Sequence, residues 1–136
     1  MKIFIAMPLG KGQMQADTAA SIFGLQNALI KHGFETTFNR ISFTDVAKAR
    51  DILADQFLAG GADKLLFVDD DMAFEPSIIL EMIKFDKAFV GVLCPQKTFD
   101  FEAFGKAYAE GADKGDKERL RTAKTAGLRF VGKLKA

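Results

Sequence analysis

The sequence predicts an α/β protein: a doubly wound, mostly parallel sheet with helices on both faces, forming a three-layer α/β/α sandwich. Three observations carry that prediction. Short apolar runs of strand length alternate with longer stretches whose apolar residues recur at helical spacing. The resulting order is strand, helix, strand, helix, strand, helix, strand, the order of βαβ units whose strands pair in parallel. The third apolar run passes directly into Asp69-Asp70-Asp71, and sheets of this kind place their ligand sites at the carboxyl ends of strands. About four or five strands are expected.

Lys2-Ile3-Phe4-Ile5-Ala6-Met7, closed by Pro8 and Gly10, reads as a buried first strand. From about Met14 to His32, Ile22, Leu25 and Leu29 share a helix face, with Gly33 as the stop. Residues 34–41 alternate and contain Thr36, Thr37 and Phe38, which suits a second strand. Ser42-Phe43-Thr44-Asp45 resembles a capping box, ahead of a helix with Val46, Ala49, Leu53 and Phe57 on one face and Gly60-Gly61 at its end. Leu65-Leu66-Phe67-Val68 is the third strand. Pro76 stands where a first-turn proline belongs, followed by Ile79, Met82 and Ile83 on one face. Ala88-Phe89-Val90-Gly91-Val92-Leu93 is expected as a fourth strand, with Cys94 packed at its end. From Asp100 the pattern is helical and polar, up to a possible short last strand at Leu128-Arg129-Phe130-Val131.

A length of 136 residues predicts a single domain, 1–136, with a core over 1–104 and a mostly helical extension over 105–136. The composition, 49% hydrophobic and 27% charged, excludes intrinsic disorder. One cysteine and one histidine exclude a disulfide framework, a cysteine-rich zinc site and a multi-histidine metal cluster. No signal peptide is expected, nor any apolar run near the ~18 residues a membrane span needs, so the expected location is cytoplasmic. The net charge of +1 is unevenly spread: ten Lys/Arg against fourteen Asp/Glu before residue 105, a balance of −4, then nine against four, a balance of +5. The basic extension has few aromatics and no nucleic-acid motif, which argues against sequence-specific nucleic-acid binding. It could approach phosphates or an anionic membrane surface, or be a solvated helix face.

The acidic triplet is the most informative feature. Two carboxylates ~5 Å apart at an effective dielectric of ~20 repel by roughly 3 kcal/mol, so three in a row at a strand end call for a counter-charge. In an extended chain Asp69 and Asp71 share a side and Asp70 points away, giving two carboxylates for a hard cation such as Mg²⁺ or Mn²⁺. Such a metal can hold a diphosphate. The competing reading, one helix-capping aspartate with solvated neighbours, explains one residue of the three.

Four segments then carry a family resemblance. Ala49-Arg50-Asp51, Leu65-Leu66-Phe67-Val68-Asp69-Asp70-Asp71-Met72, Phe74-Glu75-Pro76 and Val90-Gly91-Val92-Leu93-Cys94-Pro95-Gln96-Lys97 resemble, in order and spacing, the GT-A glycosyltransferases, particularly family-two-like bacterial and phage members. The resemblance covers roughly residues 1–104. It implies the Rossmann-like donor half of that fold, binding a nucleotide-diphosphate sugar and transferring the sugar to a glycan, lipid or protein acceptor. It further implies that Asp71 binds a metal, Mn²⁺ or Mg²⁺, and that Asp69 supports the metal or contacts the ribose. Pro8, Gly10, Arg50, Asp70 and Lys97 would complete the nucleotide-sugar site. Asp51 replaces the asparagine common after the arginine. The chain is also shorter than these domains usually are, which implies a short or truncated member. The acceptor half, which holds the base of an inverting enzyme, is short or absent, so Asp100 and Glu102 are base candidates on position alone. A non-catalytic nucleotide-sugar-binding remnant is the alternative, and exposed sheet edges predict a homo-oligomer.

Other site classes fit less well. Gly10-Lys11-Gly12 lacks the third glycine of a dinucleotide fingerprint, since Gln15 stands there, and lacks the P-loop Gly-Lys-Ser/Thr. An aspartate phosphotransferase of the haloacid dehalogenase type would carry its Asp-x-Asp on the first strand, not the third.

Overall fold

The computed structural model describes residues 1–96 and 98–129. Lys97, Phe130 and Val131 lie outside the described residues. Along the chain run β1 (Lys2–Leu9), α1 (Ala16–Lys31), β2 (Glu35–Ser42), α2 (Val46–Gly60), β3 (Lys64–Phe67), α3 (Pro76–Phe85), α4 (Phe101–Glu110) and α5 (Asp116–Gly127). The chain divides into two compact units, Met1–Ala88 and Phe89–Ala136.

The first unit is α/β. Its sheet has three parallel strands in the order β2-β1-β3, with Ile5 level with Phe38 on one side and Leu66 on the other. As the central strand, β1 is buried continuously from Ile3 to Leu9, the run expected of a strand covered on both faces. Pleating splits its residues between two clusters. Ile3, Ile5, Met7 and Leu9 pack with Ile22, Leu25 and Leu29 of α1 and Ile79 of α3. Phe4 and Ala6 pack with Leu53 and Phe57 of α2, Phe4 meeting Phe57 edge-on at 6.2 Å. Each fully buried Leu or Ile contributes about 1.5–3 kcal/mol.

The helix ends follow local chemistry. Asp45 caps α2, its carboxylate accepting from the Ala47 N–H at 2.9 Å and the Lys48 N–H at 3.4 Å. The cap is therefore Asp45 itself, not a capping box begun at Ser42. Gly61 ends α2 with φ 64, a left-handed conformation that glycine takes without a Cβ penalty. Pro76 opens α3 and Asp86 closes it at φ 43.

The expected fourth strand is not formed: residues 88–93 have no regular structure, and Phe89 is 90% exposed. Chain topology supplies a reason. Going from β1 to β2 places α1 on one face; returning past β1 to β3 places α2 on the other. A parallel strand outside β3, reached by a crossover of the same hand, needs its helix on the α2 face. Yet α3 packs on the α1 face. Gly91 weakens the run further. Cys94 is correspondingly exposed and unpaired, not packed.

The second unit is a helix pair. Asp100 caps α4, accepting from the Ala103 N–H at 2.9 Å, and Phe99 forms an antiparallel bridge with Leu128 after α5. The Phe99 ring lies against Gly127, where a Cβ would overlap it. Phe104 stacks with Tyr108 at 6.0 Å, and the Arg119 guanidinium sits 3.9 Å from the Tyr108 ring centre while its Nε donates to the Tyr108 carbonyl.

Candidate functional site

In a 2-1-3 sheet the chain leaves β1 toward one edge and later crosses to the other. The carboxyl ends of β1 and β3 thus lie side by side, at the end of the sheet where parallel α/β proteins bind ligands. A groove of about 600 Å³ lies there. Pro8, Gly10 and Lys11 line it from the end of β1, Gln13, Met14 and Gln15 from the approach to α1, Val46 and Arg50 from α2, and Asp69, Asp70 and Asp71 from the end of β3.

Asp70 organises the turn after β1. Its carboxylate accepts from the Gly10 N–H at 3.2 Å, and its carbonyl accepts from the Gln15 N–H at 2.9 Å. One residue thus holds both ends of the 10–15 loop. Gly12 within that loop has φ 69, a conformation suited to glycine. The loop after β3 is tied to α1 in turn, because the Phe74 N–H donates to the Ser21 hydroxyl at 3.0 Å.

Asp69 pairs with Arg50, Nη2 to Oδ1 at 2.8 Å, both side chains being about half exposed. The Arg50 guanidinium also lies 6.0 Å from the Phe67 ring centre. Strand alternation stops at this point. The Met72 N–H reaches back to the Asp69 carbonyl at 3.4 Å, so Asp70 and Asp71 lie in a turn. The extended-chain argument that put Asp69 and Asp71 on a common side therefore does not apply, although both line the groove.

Of the predicted binding residues, Pro8, Gly10, Arg50, Asp69, Asp70 and Asp71 come together here, and Lys97 lies outside the described residues. Gln13, Met14, Gln15 and Val46 were not singled out. The signal for Val46 was available: it is four residues before Arg50, on the same side of a helix. It lies at the groove, exposed, while Ala49 and Leu53 carry the buried face.

Among the described residues no group of three or more His, Cys, Asp or Glu side chains is arranged to hold a metal. Asp69 is engaged by Arg50, and Asp70 by Gly10. A divalent ion here would have to be bound through one or two carboxylates with phosphate oxygens completing its shell, since the donor set does not make a dedicated protein cage.

The base candidates lie on α4. The Ala103 N–H, then the Arg129 guanidinium at 2.7 Å, hold the Asp100 carboxyl below its ordinary value of 3.8. That is the chemistry of a helix cap and a poor setting for a general base, which works best with a pKa near the operating pH. Glu102 is exposed in the first turn of α4.

Comparison of the chain with protein-family models, with curated proteins and with solved structures finds no match.

Proposed function

We propose that the chain binds a nucleotide-diphosphate sugar in the β1–β3 crevice through a divalent metal, Mn²⁺ or Mg²⁺, and acts as a glycosyltransferase-like protein toward a separate acceptor. The observation that carries this reading is the position of the acidic triplet. It ends β3 at the crevice, beside a glycine-containing loop fixed by Asp70 and a half-exposed arginine. The metal would be held by Asp71, with Asp69 in support, and would neutralise the diphosphate leaving group. Arg50 and Lys11 supply positive charge to the same groove, and Asp70 keeps the loop in register. Helix packing on both sides of β1 is consistent with the three-layer donor half of a GT-A fold. A cytoplasmic location suits an exposed, unpaired Cys94.

One observation favours a second reading, a nucleotide-sugar-binding protein without turnover: the Asp100 carboxylate is already committed to the Ala103 N–H and Arg129. Incubation of the full chain with nucleotide-diphosphate sugars and Mn²⁺, followed by assay for free nucleoside diphosphate, separates the two. Metal-dependent release that disappears in Asp71→Ala supports an enzyme. Metal-dependent binding without release supports the second reading, and absence of both contradicts the site itself.

A further inference from the structure

We propose that the groove between α4 and α5 docks the chain onto an anionic phospholipid surface. The inference is independent of the nucleotide site. The groove measures about 850 Å³ and is walled by Phe99, Phe101, Phe104, Leu120 and Leu128. Its other lining comes from α5: Lys117, Arg121, Lys124 and Thr125, with no carboxylate among them. The three cations are spaced four and three residues apart, which places them along one side of the helix over about 10 Å. All three are exposed, and none forms an ion pair among the described residues. Phe101 is 77% exposed at the groove. Aromatic and aliphatic side chains set beside Lys and Arg are the composition of segments that lie in a membrane interface.

Charge selects the occupant. A second copy meeting this face through a two-fold axis would bring six cations together around an apolar centre, which is repulsive. An anionic bilayer supplies both complements, acyl chains for Phe101 and Leu120 and phosphates for the cations. No helix among the described residues is long and apolar enough to cross a membrane, so the contact would be peripheral.

The test is sedimentation of the full chain with sucrose-loaded vesicles, of phosphatidylcholine alone or mixed equally with phosphatidylglycerol, at low and high salt. Binding to the mixed vesicles only, weakened by salt, is expected. Replacing Lys117, Arg121 and Lys124 together by Gln is expected to lower partitioning about 100-fold, and Phe101→Ser on the order of tenfold. These positions are exposed, and an unchanged melting temperature would show that each variant folds. Failure to bind mixed vesicles at low salt, or equal binding by the triple variant, overturns the proposal. So does a dimer in sedimentation velocity that Phe101→Ser dissociates, because it would assign the face to a second copy.

Discussion

At the residue scale, three adjacent aspartates do three different jobs in the folded chain. Asp69 faces Arg50, Asp70 fastens the 10–15 loop, and Asp71 lines the groove beside them. That the triplet stands at the carboxyl end of a strand could be read from the sequence, because it directly follows four apolar residues of strand composition. The division of labour could not, because it depends on a turn that begins one residue after the strand stops alternating. Removing the Asp70 carboxylate should free the Gly10 N–H. Asp70→Ala is therefore expected to raise amide hydrogen exchange at residues 10–15 while exchange at β1 stays near wild type. Asp100 gives a pH prediction. Its carboxyl is held below 3.8 in the folded chain, first by the Ala103 N–H and then by Arg129. The stabilisation is present above that value and is lost as pH falls through the lower folded value. Asp100→Asn should therefore lower stability at neutral pH and flatten the acid side of the curve, the two proteins converging as the wild-type carboxylate protonates, as followed by circular dichroism in an acid titration.

At the element scale, the central strand and the first three helices were legible because burial writes a period into sequence. Leu25, Leu29 and Leu53 are fully buried where the helical spacing puts them. Truncating one such residue, Leu53→Ala, should cost about 2–5 kcal/mol in urea unfolding, since the cavity between α2 and β1 cannot fully collapse. The stop at Gly61 was equally legible, as φ 64 is the conformation a glycine signals. Gly61→Ala should cost about 1 kcal/mol by the same measurement. The fourth strand was misread for an equally physical reason. Residues 88–93 have strand composition, but composition does not fix the face on which the preceding helix packs, and α3 sits on the α1 side. Without ladder partners, apolar residues such as Phe89 remain exposed. The helix pair α4–α5 was visible only as a polar helical stretch. Its aromatic cluster depends on Phe99 lying against Gly127, a contact across 28 positions that no local period encodes.

At the scale of the whole molecule, a 2-1-3 parallel sheet sets the carboxyl ends of β1 and β3 side by side at a groove lined with acidic and basic side chains. β2 and β3 are the edges of that sheet; the homo-oligomer expected from the sequence is checked by sedimentation equilibrium, where a monomer's mass would remove it. The donor set also predicts how the ligands should bind. With no protein cage among the described residues, metal and diphosphate should bind together more tightly than either alone. The most direct test is a thermal-shift screen of nucleoside diphosphates and their sugar conjugates with Mn²⁺, Mg²⁺ or EDTA. A ligand at ~100 times its dissociation constant adds about 2.7 kcal/mol of stability, a rise of several degrees for a chain of this size. The account predicts such a rise for at least one nucleotide, only with metal present, and its loss in Asp71→Ala. No rise with any nucleotide, or a rise that EDTA and Asp71→Ala leave intact, would contradict it.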